Sequence, residues 1–272
     1  MMQIYISTSG WQYSHWKGKF YPENLPSQNF LKFYSKYFNT VEVNTSFYHF
    51  TKKSTLEKWR TQTKQNERRN SRNTELKRNI PIRSILTRNS LQGKNFLFSI
   101  KLHRLFTHFR KLKLNKEDKR ILKETIENYK VLGKNLGPIL IQLPPSLKKD
   151  LKTLEKFLKN FDKNLKLAIE FRHRSWLDKE TYNFLKKKKI AFAVSDSPRW
   201  PTDIVKTCDF VYVRFHGKPH LFASKYGKEE LIWYAKEIKK LKPKTLFAYF
   251  NNDAEGYAIE NDLEFQKLLK RQ

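Results

Sequence analysis

The chain of 272 residues contains 56 Lys and Arg but only 26 Asp and Glu, so its formal net charge is +30. A net positive charge of that size excludes a protein that does not attract polyanions. Aromatic residues make up 15% of the sequence, which excludes a disordered polycation, because such chains are poor in core-forming side chains. Cys208 is the only cysteine, which excludes an intrachain disulfide and a zinc site built from several cysteines.

Short β-rich apolar runs alternate along the chain with stretches of helical spacing, which is the pattern of repeated βα units. Eight strands are predicted, at Ile4–Thr8, Thr40–Asn44, Phe96–Lys101, Pro138–Leu143, Lys166–Phe171, Ile190–Ser195, Phe210–Phe215 and Thr245–Phe250. Helices are predicted near Phe30–Phe38, Leu56–Arg60, Lys116–Leu132, Leu151–Asn160, Lys179–Lys189, Lys228–Leu241 and Tyr257–Leu269, whereas the sixth connection, Ser197–Thr207, is predicted to be mostly irregular. The pattern predicts an α/β protein with one TIM-like (β/α)₈ barrel domain over residues 1–272, and an open doubly wound sheet is the alternative.

A basic stretch interrupts this pattern between the second helix and the third strand. From Arg60 to Lys94 the sequence has ten basic residues against Glu67 and Glu75, and almost no aromatic or β-branched residue before Ile80. Such composition predicts a flexible basic insertion over residues 61–95. Two interpretations stay open, an arm that contacts RNA or DNA phosphates and a solvated loop without a partner.

The N-terminus has neither a basic leader region with a long apolar run nor any other sign of a secretory signal. No segment approaches the roughly 18 consecutive apolar residues of a membrane span. We therefore expect a cytoplasmic protein without a membrane partner. Nothing in the sequence indicates its oligomeric state.

Polar residues recur two positions apart at the ends of the predicted strands, so that each pair points to one side of its strand. In a closed barrel the strand ends meet at one mouth, where the chemistry of such folds is found. We therefore predict a functional pocket there, and a hydrogen-bonded layer capping the core is the alternative. The pairs are Glu42 with Asn44, Ser99 with Lys101, Gln142 with Pro144, Glu170 with Arg172, Val194 with Asp196, Arg214 with His216 and Tyr249 with Asn251.

The same segments resemble a known family, domain of unknown function 72 (DUF72), the YecE-like proteins. The resemblance runs from Gly10 to Asp253 and leaves out about residues 61–95. It implies a TIM-like barrel and no known reaction. It rests on Gly10-Trp11, Phe20-Tyr21-Pro22, Val41 to Tyr48, Phe96 to Lys101, Thr107-His108, Gln142 to Pro145, Glu170 to His173 with Ser175-Trp176, Asp196 to Pro198, Tyr212 to Gly217 and Phe250 to Asp253.

The catalytic candidates are the carboxylates and a histidine of the predicted mouth. Glu170 and His216 form the leading acid/base pair, because a carboxylate and an imidazole can exchange protons when their pKa values are driven apart. Glu42 and Asp196 are the further carboxylates. A glycosidase interpretation instead pairs Glu42 with Glu170 across a sugar.

The substrate-binding candidates combine cations, amides and flat rings. Arginines favour a phosphate or carboxylate ligand, since the guanidinium offers a planar fork of donors. Aromatic side chains near the strand ends could stack on bases or sugars, or form the upper core. The candidates are Asn44, Lys101, Arg172, His173, Arg214, Tyr249, Asn251, Asn252, Trp11, Tyr48 and Trp176, and Phe47 and Trp200 lie near strand ends as well.

No cofactor is identified from the sequence. A divalent metal is possible, since Glu42, Glu170, Asp196, His173 and His216 have suitable oxygen and nitrogen ligands. It is not favoured, because several arginines share the mouth and no HxH or HExxH spacing occurs. The leading hypothesis is an enzyme acting on a phosphorylated or nucleic-acid-derived substrate by acid/base chemistry, in the manner of a hydrolase. The alternatives are a nucleic-acid-binding protein without turnover, acting through its basic surface and insertion, and a sugar-active enzyme.

Overall fold

Eight parallel β-strands form one sheet in the computed structural model, which describes residues 2–64 and 95–270. The sheet runs in the order β1, β8, β7, β6, β5, β4, β3, β2, and its two outer strands meet at a bridge between Ser9 and Glu42. The sheet is therefore a nearly closed barrel, which confirms the (β/α)₈ prediction against the open sheet. The strands are β1 (Gln3–Thr8), β2 (Thr40–Val43), β3 (Leu97–Lys101), β4 (Leu136–Gln142), β5 (Leu167–Glu170), β6 (Ala191–Asp196), β7 (Phe210–Phe215) and β8 (Thr245–Phe250).

The described residues contain eight α-helices, seven between the strands and one after β8. They are α1 (Phe30–Tyr34), α2 (Thr45–Tyr48), α3 (Lys53–Lys64), α4 (Lys116–Lys130), α5 (Leu151–Leu158), α6 (Lys179–Lys188), α7 (Lys228–Lys240) and α8 (Tyr257–Lys270). The connection from β6 to β7 is irregular, as predicted, and residues 197–209 contain no helix. The first predicted helix was too long, since α1 ends at Tyr34. The helix α3 continues to Lys64, four residues into the predicted insertion. The rest of that insertion, residues 65–94, lies outside the described residues.

Alternation along the strands divides the core into two layers. One set of side chains packs outward against the helices, and the other fills the barrel interior. Inside, the small side chains of β5 and β6 lie beside the large rings of the neighbouring strands β7 and β8, and together they fill the interior. Each large side chain removed from water stabilises the fold by roughly 1.5–3 kcal/mol. The inner layer includes Ala168, Ala191, Ala193, Tyr212, Phe247 and Tyr249.

Contacts between loops position the carboxyl end of the barrel. Nε1 of Trp16, after β1, donates to the carboxylate of Asp253, after β8, at 2.9 and 3.0 Å. Nε2 of His15 lies 3.0 Å from the same carboxylate. These contacts tie the two loops together beside the gap between β1 and β2. In the described part of the chain, no helix is long and apolar enough to cross a membrane.

Candidate functional site

Arg214, from the end of β7, lies between two carboxylates at the barrel mouth. Its Nε and Nη2 donate to the two oxygens of Glu42 at 2.8 Å each, and its Nη1 donates to Glu170 Oε2 at 2.6 Å. All three side chains are buried, with at most 1% of their surface exposed. A buried guanidinium and carboxylate need such mutual hydrogen bonds, because each loses its hydration. This arrangement joins β2, β5 and β7 at the mouth.

Glu42 is held by more than Arg214. Tyr212 donates its hydroxyl to Oε1 at 2.8 Å, and Ser9 donates to Oε2 at 2.6 Å. With the two bonds from Arg214, each oxygen of Glu42 accepts two hydrogen bonds. The carboxylate has no lone-pair direction left for a ligand. Its contribution is therefore to orient Arg214.

Glu170 accepts from a second cation. Arg172 Nε donates to its Oε1 at 2.6 Å and Gln142 Nε2 to the same oxygen at 3.0 Å. Burial disfavours the charged form, but Arg172 and Arg214 outweigh burial and hold the pKa of Glu170 well below its usual range. Glu170 is therefore ionised at neutral pH.

His216 lies next to Arg214 and is 1% exposed. Burial, together with the charge of Arg214, lowers its pKa well below the usual value, so the ring is neutral at pH 7. Nε2 is 3.3 Å from Arg214 Nη1. A guanidinium donates and does not accept, so Nε2 is the acceptor in that contact, and Nδ1 lies 3.2 Å from the amide nitrogen of Asn251.

Lys101 is the last residue of β3 and lies inside the mouth. Its contacts differ from those of Arg172 and Arg214. Within the described residues its Nζ has no carboxylate partner, and it lies 3.8 Å from the ring centre of Phe47. Burial, with Arg214 and Arg172 nearby, lowers the pKa of Lys101 to about 7, despite the opposing effect of Glu170 and Glu42. The ammonium is thus poised between its two protonation states at neutral pH.

His108 lies beside this lysine, in a turn of π-helix at Leu105–Phe109. Its Nδ1 is 2.9 Å from Thr107 Oγ1, and its ring meets Phe47 edge to face. Burial and the charge of Lys101 lower the pKa of His108 to about 4, so this imidazole is neutral as well. The mouth therefore has two neutral imidazoles next to its cations.

Trp200 covers the other side of the mouth. The Arg172 guanidinium lies 3.6 Å from its ring centre, and His216 meets the same ring at 80°. Nε1 of Trp200 donates to Ser195 Oγ at 2.9 Å, which fixes the indole. An indole stacked on a guanidinium holds that cation in place without neutralising it.

Three polar candidates lie away from this cluster. Asp196 is on the outward face of β6, where it accepts from the Tyr226 hydroxyl and pairs with Lys218. Asn252 donates to the carbonyl of Ser224 and to Asn261. Tyr249 lies deeper in the barrel, where its hydroxyl is 2.9 Å from Thr40 Oγ1. None of these hydrogen bonds is with Arg214, Glu42 or Glu170, although the ring centre of Tyr249 lies 5.2 Å from that of Tyr212.

The aromatic candidates also fall into two groups, those buried in the core and one that is exposed at the mouth. Trp11 is buried against Trp59, and Trp176 stacks on Phe171 with its Nε1 bonded to the carbonyl of Leu147. Both belong to the core under the loops, which was the alternative for such rings. Tyr48, in contrast, is 53% exposed at the edge of the mouth.

The remaining candidates have local roles at the strand ends. His173 accepts from the backbone N–H of Ser175 and so begins the turn after β5. Asn44 precedes α2, and its buried Oδ1 has no hydrogen-bond partner among the described residues, whereas Asn251 contacts His216. An unpaired buried oxygen costs free energy unless a ligand or water satisfies it.

Two partners of Glu42 were not predicted. Tyr212 precedes Arg214 by two residues in β7 and therefore lies on the same inward face. This spacing could have identified Tyr212 from the sequence. Ser9 follows β1 and had no comparable signal. Among residues 2–64 and 95–270, no group of three or more His, Cys, Asp or Glu side chains could hold a metal ion.

Comparisons with known proteins agree with this architecture. The chain is 25% identical to UPF0759 protein YunF of Bacillus subtilis, over 98% of the chain and 94% of that protein. A crystal structure of a DUF72 family protein from Thermotoga maritima matches with a TM-score of 0.76 and 28% identity, covering 99% of this chain and all of that one. A DUF72 family protein from Enterococcus faecalis matches with a TM-score of 0.72 and 20% identity, over 100% and 99% of the two chains.

The family profile described as "Protein of unknown function DUF72" matches residues 5–68 and 89–272. The two matched segments include seven of the strands in full, β1 from Tyr5 onward, and every side chain placed around Arg214. This match covers most of the sequence. The chain therefore belongs to the DUF72 family.

Proposed function

We propose that the barrel mouth binds the phosphate of a phosphorylated or nucleic-acid-derived molecule and acts on it by acid/base chemistry. The observation that carries the proposal is Lys101, a buried ammonium with no carboxylate partner in the described part of the chain. A buried cation without a counter-ion is costly, and a bound anion would supply the missing charge.

The charges around Lys101 support an anion. Arg172 and Arg214 are balanced by Glu42 and Glu170, which leaves the protonated lysine as the excess charge. The imidazoles of His108 and His216 are neutral and add none. A phosphate oxygen that reached Lys101 would therefore neutralise the cluster.

Lys101 is also the group best suited to proton transfer. General acid/base catalysis is most efficient when the pKa of the group is near the working pH, and the pKa of Lys101 is about 7. Of the predicted acid/base pair, Glu170 is held ionised and His216 neutral, so neither changes its charge near neutral pH. Glu170 serves instead to orient Arg172 and Arg214.

The sugar-active alternative has less support. A glycosidase needs one protonated carboxyl as general acid and one free carboxylate. The pKa of Glu170 lies well below its usual range, and the four hydrogen bonds to Glu42 leave that carboxylate no access to a sugar.

Calorimetric titration with nucleoside monophosphates tests the binding step. We expect the wild-type protein to bind and Lys101→Met to lose at least about tenfold in affinity, since a charge-assisted hydrogen bond contributes about 1.5–3 kcal/mol. Lys163→Met is the matched control, because it removes the same charge from an exposed position. Equal affinities of the two variants would exclude Lys101 as the anion-binding group.

Turnover is tested separately, with phosphate release and strand cleavage as readouts on mononucleotides and short oligonucleotides. A working enzyme should show a pH–rate profile with an inflection near pH 7 that Lys101→Met abolishes. Activity that survives in Lys101→Met with an unchanged profile would contradict the role in proton transfer.

A further inference from the structure

Exposed aromatic side chains are concentrated at one edge of the mouth. Tyr48, Phe50 and Phe109 are 53%, 45% and 63% exposed, and they are three of the five large apolar side chains that are exposed in the described residues. Together with Arg104 we call them the rim platform. Water disfavours exposed rings of this size, and their clustering in one place indicates a binding surface.

The platform is held in place by its own contacts. The Arg104 guanidinium lies 5.2 Å from the ring centre of Tyr48 and 5.3 Å from that of Phe109. Phe50 stacks on His103 with 3.8 Å between ring centres and 15° between planes. These contacts support the rings from one side while their other surface is in solvent.

The rim platform is continuous with the mouth. Tyr48 meets Phe47 edge to face at 5.0 Å, and Phe47 is the ring next to Lys101. A ligand that placed a phosphate at Lys101 would therefore have its neighbouring groups at Tyr48.

We propose that the rim platform stacks the bases of a single-stranded nucleic acid whose phosphate enters the mouth. The inference rests on the proposed function and names its substrate class, a polynucleotide strand rather than a mononucleotide. Every base has a flat face that stacks on an aromatic ring, and Arg104 adds a cation at the same place. The net charge of +30 favours this polyanion over a protein partner for the exposed rings.

Fluorescence anisotropy with a labelled oligonucleotide of about 12 unpaired nucleotides tests the proposal. Phe109→Ala and Phe50→Ala remove rings without changing the net charge, so the salt dependence of binding stays that of the wild type. We expect each variant to lose roughly five- to a hundredfold in affinity for the strand, the effect of one stacked base. Affinity for a nucleoside monophosphate should be unchanged, because the phosphate site is intact.

The matched control is Trp233→Ala, which removes an equally exposed ring from α7 on the outside of the barrel. If both platform variants bind the oligonucleotide as tightly as this control does, the proposal is overturned. A protein partner would then be the alternative ligand of the exposed rings. If Lys101→Met weakens monophosphate binding while the platform variants bind the strand normally, only this inference fails. If the wild type binds no monophosphate but the platform variants lose strand affinity, the proposed function fails instead.

Discussion

At the scale of residues, the site is organised by a buried charge network that is balanced except at one position. Arg214 is shared by two carboxylates, and Glu170 is shared by two arginines. Such a network fixes its members, because each charged atom has its hydrogen bonds made within the protein. Lys101 lies at the same mouth without a carboxylate partner in the part that the structure describes. In the proposed function, that difference separates the residues that position the site from Lys101, the residue that would meet the ligand.

Glu42→Gln should be strongly destabilising. The amide keeps the shape of the side chain but removes the negative charge that faces the buried Arg214, and breaking a buried pair in this way costs about 3–5 kcal/mol. Urea denaturation measures the change in the free energy of unfolding. Glu255→Gln is the control, since the pair of Glu255 with Lys19 is exposed and contributes at most about 1 kcal/mol. A loss no larger than that of the control would show that Glu42 is not needed to compensate Arg214.

Anion binding should weaken as the pH rises above about 7. Burial lowers the pKa of Lys101 to about 7, so the ligand-free ammonium loses its proton in the range where sulfate keeps its charge. We expect sulfate affinity to fall by up to about tenfold per pH unit between pH 7 and 9. Lys101→Met should bind weakly at every pH, whereas Lys163→Met should follow the wild type. A flat profile for the wild-type protein would contradict the link to Lys101.

At the scale of elements, the sequence predicted all eight strands, but it misplaced the face of β6. The inward residues of this strand are Ala191, Ala193 and Ser195, and the outward ones include Phe192. Both faces of a barrel strand are buried, so apolar residues occupy both alternations and polarity does not tell them apart. Asp196 was therefore assigned to the mouth although it faces outward.

The sequence also did not predict how far below the mouth each inward side chain lies. Tyr249 and Arg214 are neighbours in register across β8 and β7, yet Tyr249 bonds to Thr40 beneath the site. Strands in a barrel are tilted and staggered, so residues in register lie at different heights. Likewise, Trp176 is a core residue because its indole stacks on Phe171 and donates to the carbonyl of Leu147 in the loop after β4, which strand spacing does not predict.

The contact between the β1 and β8 loops should make stability depend on pH. Burial raises the pKa of Asp253 to about 6, although His15 and Trp16 oppose the shift. The folded state then binds more protons than the unfolded state between about pH 4 and pH 6, so the free energy of unfolding falls as the pH rises through this window. Asp253→Asn still accepts from Trp16 through its amide oxygen but does not titrate.

We therefore expect urea denaturation from pH 4 to pH 7 to give a flatter curve for Asp253→Asn than for the wild type, with a difference of about 2 kcal/mol across the window. Glu255→Gln, two residues further along the same loop, should keep the wild-type slope. Parallel curves for Asp253→Asn and the wild type would show that the carboxyl of Asp253 is not protonated on folding.

At the scale of the whole molecule, the charge of +30 and the proposed phosphate site in the barrel mouth would be two separate sources of anion affinity. Surface lysines and arginines attract any polyanion, and that attraction falls steeply with salt. Stacking on the rim platform and hydrogen bonding in the mouth require a ligand of the right shape, and salt weakens these contributions to affinity much less. Salt dependence can therefore separate the general field of the protein from its specific site.

Removal of residues 69–88 tests how much of that field comes from the basic stretch. The family profile matches the chain on both sides of this segment and omits the segment itself, so we expect the barrel to fold without it, with an unchanged free energy of unfolding. The deletion removes six basic residues and Glu75, lowering the net charge from +30 to +25.

If the segment contacts phosphates, the slope of log affinity against log salt for an oligonucleotide should become shallower by up to about 4, at roughly 0.7 per lost contact. The loss caused by Phe109→Ala should be the same in the shortened protein as in the full chain, because stacking at the rim adds no charge. An unchanged slope would mean that the segment is a solvated loop and that the barrel itself carries the binding.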